Sequence, residues 1–181
     1  PDEFNTLKGR PMWSAVSVHR DELAAVLNAH RLVMRVSHRS LLILAPALSK
    51  DEDYFYSMCR EYGLETARRL DDDMPISRTQ VFLADSNDEM ARWLSLSAVS
   101  YLGGSLVSEG KGTDPLPAAS MGCAILYGPN IKNHLSAYSS LAGVGAARIV
   151  LDSHSLAGAV LQSSAPEQAA KMGCAAWEFV T

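Results

Sequence analysis

The chain has little cysteine, and the spacing of its cysteines fits neither a disulfide framework nor a metal site. Its three cysteines, Cys59, Cys123 and Cys174, lie far apart, and no CxxC motif is present. An odd number of widely spaced thiols argues against a disulfide framework or a structural zinc site. His134 and His154 also lack the spacing of metal ligands. We therefore predict no metal and no bound cofactor.

A long apolar run and a positive net charge are also missing. The longest apolar stretches are well short of the roughly 20 residues that a membrane-spanning helix needs, so we predict no transmembrane segment. No charged and then apolar leader opens the chain. A net charge of −4 leaves no general excess of basic groups for a phosphate backbone, which argues against a nucleic-acid partner. A soluble, cytosolic protein is expected.

Two common phosphate-binding signatures are absent as well. No G-x-G-x-x-G sequence follows the first predicted strand, which disfavours a simple NAD-binding domain. The segment Gly110-Lys111-Gly112-Thr113 does not have the spacing of a Walker A motif. Any nucleotide ligand must therefore be bound in another way.

What the sequence does contain is a regular alternation of short apolar segments and helical ones. The apolar segments are continuous, which is typical of strands buried on both faces of a parallel sheet. We predict strands at 13–18, 40–46, 65–69, 79–84, 98–102, 124–127 and 146–151. We predict helices at 21–36, 50–62, 87–96, 116–121, 133–141, 155–162 and 167–179. The predicted fold class is α/β: one Rossmann-like domain over residues 10–181, with helices on both faces of the sheet and residues 1–9 as a linker remnant or vector-derived scar.

Glycine-containing turns follow two of these predicted strands. They are Gly103-Gly104-Ser105 after 98–102 and Gly128-Pro129-Asn130 after 124–127. In an open parallel sheet, ligands bind beyond the carboxyl ends of the strands. Glycine lets backbone N–H groups approach an anion closely, so the turns suit a phosphate-bearing ligand. Tight packing of a strand against the next helix requires such glycines too, and the pattern alone leaves both interpretations open.

Seven short motifs occur in an order and at a spacing that resemble one known family. They are Gly9-Arg10-Pro11-Met12-Trp13, Ser17-Val18-His19, Ala67-Arg68-Arg69, the segment DSNDEM at 85–90, GGSLV at 103–107, Pro115-Leu116 and Tyr127-Gly128-Pro129. The family's motifs read G-R-P-V-W, S-T-H, A-R-R, D-T-M-G-E-L, G-G-S-L-V, H-N-P-L-E-P-A and F-G-P. From about Leu7 to its end, the chain resembles the C-terminal domain of the 3-deoxy-D-manno-octulosonic acid (Kdo) transferases of lipopolysaccharide synthesis.

The resemblance implies a GT-B glycosyltransferase, in which two Rossmann-like domains face each other across the substrate cleft. The C-terminal domain would bind the nucleotide sugar CMP-Kdo. The N-terminal domain would carry the lipid A precursor as acceptor, the contact with the inner membrane and the general base. A general base must reach the acceptor hydroxyl, so we expect this half alone to have no catalytic residue and to be inactive.

By the same resemblance, the candidate donor-binding residues gather at the turns after the strands. They are His19, Ser86, Glu89, Gly103, Gly104, Ser105, Lys111, Gly128, Pro129, Asn130 and Asn133. Several have a simpler alternative: His19 as a surface histidine, Ser86 as a helix N-cap and Lys111 as a solvated lysine. Glu22 matches an acidic run of the family, and a first-turn glutamate also stabilises its helix.

The chain departs from the family at positions that matter for charge. The family's G-G-H-N-P-L-E-P-A aligns with residues 111–119, which places Pro117 at its glutamate, Thr113 at its histidine and Asp114 at its asparagine. Ala47 stands at the arginine of its P-R-H, and Asn130 at the histidine of its G-P-H. The family's glutamate is expected to bind the nucleotide ribose. A degenerate domain that serves as a scaffold or partner surface, and a transferase for another nucleotide sugar, are therefore alternative hypotheses.

Overall fold

The computed structural model describes residue 7 and residues 9–71, 73–84, 89–107 and 112–181. Within them, seven strands form one sheet: β1 Met12–Val18, β2 Leu41–Pro46, β3 Thr66–Arg68, β4 Val81–Leu83, β5 Val99–Leu102, β6 Ala124–Tyr127 and β7 Ala147–Ile149. Their order across the sheet is β3-β4-β2-β1-β5-β6-β7, and every neighbouring pair is parallel. The prediction of a parallel α/β domain is confirmed.

Seven α-helices connect and cover the strands in the described part of the chain. They are α1 Arg20–Val36, α2 Glu52–Glu61, α3 Met90–Leu96, α4 Leu116–Ser120, α5 Leu135–Gly143, α6 Ser153–Ser163 and α7 Pro166–Val180. Two predicted helices begin with a tighter 3₁₀ turn instead, at Ser49–Asp51 before α2 and Lys132–His134 before α5. Such turns are common at helix ends, where the first backbone groups have no partner inside the helix.

The strand residues divide between two cores because successive side chains point to opposite faces of a sheet. Trp13, Leu42 and Tyr101 pack on the face covered by α1, α2 and α6. On the opposite face, one cluster surrounds Phe82 and Trp93, and a second joins the β6 side chains to α4 and α5. The strands β2, β5 and β6 are buried along their whole length, which explains their unbroken apolar sequences.

A buried histidine joins α1 to the sheet. The indole Nε1 of Trp13 donates to His30 Nδ1 at 3.0 Å, and His30 Nε2 lies 2.8 Å from the carbonyl oxygen of Gln80. Burial lowers the pKa of His30 to about 4, although its contact with the Gln80 carbonyl works in the opposite direction. The neutral ring accepts from Trp13 and donates to Gln80, so protonation of Nδ1 would break the first of these bonds.

We therefore expect the free energy of unfolding to decrease as the pH falls from 6.5 towards 4. Because the pKa of His30 is lower in the folded chain than its ordinary value of 6.5, the stabilisation is complete above pH 6.5 and disappears as the pH falls towards 4. The loss should be on the order of 3 kcal/mol in the free energy of unfolding, from about 1.4 kcal/mol per pKa unit. Urea unfolding across this pH range measures it. The H30Q variant carries an amide that does not titrate, and an equally steep loss in that variant would refute the assignment to His30.

Candidate functional site

The candidate site lies where the order of the strands reverses. After β1 the chain places β2, β3 and β4 on one side, with β3 at the edge and β4 between β3 and β2, and then returns to place β5, β6 and β7 on the other side. The turns that begin at Gly103 and Gly128 follow β5 and β6, which are parallel neighbours, so both turns lie on the same rim of the sheet. A cleft at the carboxyl ends of β1 and β5 is the usual ligand position in such a fold.

A cleft of about 210 Å³ opens at this rim. Its wall consists of the ends of three strands, two helices and the segment before α4: Val16, Ser17, Ala45, Pro46, Ala47, Met90, Leu94, Leu102, Thr113, Asp114, Pro117 and Ala118. Among these described residues Asp114 alone carries a formal charge, and its side chain is exposed. The described part of the wall is therefore largely apolar and contains no cation that could pair with a phosphate.

Four of the positions that depart from the family meet in this cleft. Ala47, Thr113, Asp114 and Pro117 all line it, although residues 47 and 117 lie far apart in the sequence. The Thr113 hydroxyl donates to the carbonyl oxygen of Gly103 at 2.7 Å, so it also supports the glycine turn. These four positions thus belong to one continuous surface.

Ser17 gives the end of β1 an unusual backbone. Its φ of 55° places it in the left-handed region, and the pairing of β1 with β2 shifts register between Ala15 and Val18. The carbonyl of Ser17 is thereby packed onto Gly103, where any Cβ atom would overlap it. Non-glycine residues in this region are uncommon and concentrate at functional sites, because the surrounding structure must hold them there.

An internal carboxylate occupies the glycine turn. Glu22 is 2% exposed, and its Oε2 accepts hydrogen bonds from the backbone N–H groups of His19 at 2.8 Å and Gly104 at 2.6 Å. Its Oε1 accepts from the Tyr101 hydroxyl at 2.6 Å. Burial and the Glu22 charge both raise the pKa of Tyr101, so the phenol remains a donor. The amides that suited an external phosphate are already used by Glu22.

Ser105 lies beneath the rim, where it joins the two glycine turns. It is fully buried, and its hydroxyl donates to the Leu102 carbonyl at 2.6 Å and accepts from the Gly128 N–H at 2.8 Å. Its own carbonyl oxygen accepts from Asn130 N at 2.9 Å. A Cβ at residue 128 would overlap the Ser105 backbone. Ser105 therefore positions the two turns, and its hydroxyl does not line the cleft.

The other predicted donor residues take up different positions along the rim. Pro129 and Asn133 are exposed, whereas Asn130 is half-buried and its side-chain amide donates to the Val107 carbonyl. Glu89, just before α3, pairs with Arg69 at 2.8 Å. Ser86 and Lys111 lie outside the described residues. The donor-binding role of these positions stays a prediction.

The half-buried His19 faces a second, more polar cavity of about 370 Å³. The same cavity is lined by Arg20 and by the exposed Lys50, which follows β2. Arg20 Nε pairs with Asp51 at 2.8 Å, and its guanidinium lies 4.1 Å from the centre of the Tyr54 ring. Basic groups are therefore present at this rim, but they lie beside the apolar cleft and not in its wall.

The sequence linked Glu22 to the family's acidic run or to its own helix, and neither interpretation included its contact with the glycine turn. The available signal was a glutamate three residues after His19, the spacing of a capping box, at the end of the first strand. The two arginines of the Ala67-Arg68-Arg69 motif pair with carboxylates of the chain, Arg68 with Glu52 and Asp53, and Arg69 with Glu89. No cluster of potential metal ligands occurs among the described residues. Likewise, none of the helices searched there is long and apolar enough to cross a bilayer.

Comparison with known proteins identifies relatives of this chain. No protein-family model matches the chain. The 3-deoxy-D-manno-octulosonic acid transferase of Haemophilus influenzae is 29% identical over 134 residues, which cover 73% of this chain and 31% of that protein. A probable mitochondrial enzyme of the same name from Arabidopsis thaliana is 25% identical over 121 residues, covering 66% of this chain and 27% of that protein. The chain thus spans about a third or less of these relatives.

Solved structures agree with this relationship. The crystal structure of the C-terminal CMP-Kdo binding domain of WaaA from Acinetobacter baumannii superposes with a TM-score of 0.92 at 25% identity, covering 99% of this chain and 94% of that one. A C-terminal glycosyl transferase domain from Francisella tularensis, 14% identical over 99% of this chain and 89% of its own, has a TM-score of 0.66 and supports the fold alone. The strand order, the motifs and these relatives together confirm that the chain resembles the Kdo transferases, as a counterpart of their C-terminal domain.

Proposed function

We propose that this chain is the nucleotide-sugar-binding domain of a Kdo-transferase-like glycosyltransferase in lipopolysaccharide synthesis. The observation that carries the proposal is the cleft at the carboxyl ends of β1, β2 and β5, in a fold that closely matches a domain described as binding CMP-Kdo. The donor is CMP-Kdo, and no metal or cofactor takes part. The apolar wall of the cleft suits the faces of a nucleobase or sugar. The phosphate would then be bound by groups outside the cleft.

In this proposal, transfer requires a second GT-B domain that supplies what this chain lacks. That domain carries the general base and holds a lipid A precursor at the cytoplasmic face of the inner membrane. The described lining of the candidate cleft contains no histidine, and its carboxylate, Asp114, is exposed and accepts from the Leu116 N–H at 3.0 Å. This domain therefore contributes donor binding and orientation, and the chemistry begins only when the acceptor hydroxyl is brought to the cleft.

A specific observation favours a second function, that of a degenerate domain acting as a scaffold or partner surface. Pro117 and Ala47 line the cleft at positions where the family has a glutamate and an arginine. A charge-assisted hydrogen bond contributes about 1.5–3 kcal/mol, so the loss of two weakens donor binding by a factor of about 100 or more. On this alternative the cleft binds no nucleotide at all.

Calorimetric titration with CMP distinguishes the two functions. We expect weak binding by the unaltered chain, and a gain of about 100-fold in affinity when P117E and A47R are combined. The matched control combines L116E and L48R, which place the same charges one residue away on exposed positions outside the cleft wall. No heat from either the unaltered chain or the P117E/A47R variant, with both folded, would support the scaffold. A thermal-shift panel of CMP-, UDP- and GDP-sugars identifies a different donor.

A further inference from the structure

A second cleft opens at the opposite rim of the sheet, by the amino ends of β1, β2 and β4. It has a volume of about 350 Å³ and is lined by Leu7, Arg10, Arg39, Pro75, Ile76 and Ser77. Arg10 lies two residues before β1, Arg39 two residues before β2, and Ile76 in the loop before β4. Because parallel strands place their amino ends on one rim, this cleft is separated from the donor cleft by the length of the sheet.

Arg10 is held rigidly in this cleft by neutral partners. Its Nε donates to the Arg39 carbonyl at 2.7 Å, its Nη1 to the Ile76 carbonyl at 3.0 Å, and its Nη2 to the Thr79 carbonyl. A guanidinium has five N–H donors, so two of them are left after these three bonds. The side chain is half-buried, yet each of these partners is a backbone oxygen without formal charge.

Arg39 adds a second positive charge to the same wall. Its side chain is exposed, and the bond that it gives Arg10 comes from its main-chain oxygen, so its guanidinium is not committed to that contact. Within the part of the chain that the structure describes, neither arginine forms an ion pair with a carboxylate. Burial and the nearby Arg39 charge both lower the pKa of Arg10, which is the effect expected of a cation with a like charge beside it.

We propose that this cleft is a binding site for a dianionic phosphate monoester. Two guanidinium groups match the charge of such a phosphate at neutral pH and can donate to its oxygens in pairs. The exposed Ser77 lines the same wall and carries a hydroxyl for a further bond. Leu7 and Ile76 form an apolar wall beside the arginines, where the carbon skeleton attached to the phosphate can lie. The site is independent of the donor cleft and of its proposed function.

The phosphate can belong to a free metabolite or to a lipid headgroup, and the experiment separates these sources. Calorimetric titration of the 181-residue chain with inorganic phosphate and with glycerol 3-phosphate tests the free forms. Sedimentation with phosphatidylcholine vesicles that contain phosphatidic acid, compared with pure phosphatidylcholine, tests the lipid form. Saturable binding of any of these probes supports the site, and the preferred probe identifies the source.

The R39Q variant provides the decisive comparison. It removes one guanidinium and leaves the three bonds of Arg10 in place, so the fold should be retained and affinity for the bound probe should fall about tenfold or more. R148Q is the matched control, because Arg148 is an exposed arginine on β7, at the other edge of the sheet. Equal affinities of R39Q and R148Q would overturn the proposal. So would the absence of saturable binding of every probe up to about 10 mM, which corresponds to less than about 3 kcal/mol of binding free energy.

Discussion

Replacing Glu22 with alanine is expected to lower the free energy of unfolding by about 3–5 kcal/mol, because an unsatisfied buried donor costs about 1–3 kcal/mol. The change removes the acceptor of four donors, which are the N–H groups of His19, Gly104 and Leu106 and the hydroxyl of Tyr101. Water cannot easily replace the lost carboxylate as an acceptor, because Glu22 is only 2% exposed. Urea unfolding at neutral pH measures the loss.

The neighbouring carboxylate provides the control for Glu22. Asp21 lies in the same first turn of α1 but is exposed, and the structure gives it no hydrogen bond to the glycine turn. D21A should therefore change the free energy of unfolding by no more than about 0.5–1 kcal/mol, the usual contribution of a charge near a helix end. A comparable loss in D21A and E22A would show that the helix start, and not the link to Gly104, accounts for the effect. E22Q, which keeps the size but loses the charge, should fall between them.

The second large effect is expected from alanine at residue 103. A Cβ there would overlap the Ser17 backbone, and neither element can move easily because β1 and β5 are paired along this stretch. We expect G103A to lower the free energy of unfolding by about 3 kcal/mol or more, the upper range for overpacking a core. Thermal unfolding followed by circular dichroism measures it, and the glycine turn should lose its geometry in the same variant.

A helical glycine serves as the comparison for G103A. Gly158 lies inside α6, and a Cβ there would meet no atom within 4 Å. G158A should stabilise the chain by about 0.5–1 kcal/mol, because alanine favours a helix more than glycine does. Equal stabilities of G103A and G158A would contradict the close packing of Ser17 against residue 103. The two substitutions add the same methyl group and are expected to act in opposite directions.

The hydrogen bonds of Glu22 change the interpretation of the glycine turn after β5, from a phosphate-binding turn to a structural one. Backbone N–H groups that converge on one point form an anion site wherever an acceptor of negative charge is present. Here the acceptor is part of the chain, and it ties the start of α1 to the end of β5. The turn therefore shapes the cleft as a rigid support, and two basic groups of the described residues, Arg20 and Lys50, lie in the adjacent cavity.

The amino-acid sequence by itself determined the architecture. Continuous apolar segments such as 124–127 and 98–102 are typical of strands buried on both faces, and the observed strands Ala124–Tyr127 and Val99–Leu102 agree closely. Helix ends were less well determined: residues 49–51 and 132–134 form 3₁₀ turns, since the sequence pattern does not distinguish the two kinds of turn over three residues. The resemblance to the Kdo transferases also followed from short motifs in order.

Only the tertiary structure decided which side chains face the cleft. Glu22 and Gly104 are 82 residues apart, and no local pattern shows that the start of α1 and the turn after β5 become neighbours. Ser105 looked like a ligand contact in a glycine turn, yet packing of the β6 turn against it buried its hydroxyl. Pro117 and Ala47 became parts of one wall for the same reason. Local periodicity encodes which residues form strands, whereas burial and contact depend on crossovers that bring distant segments together at one rim of the sheet.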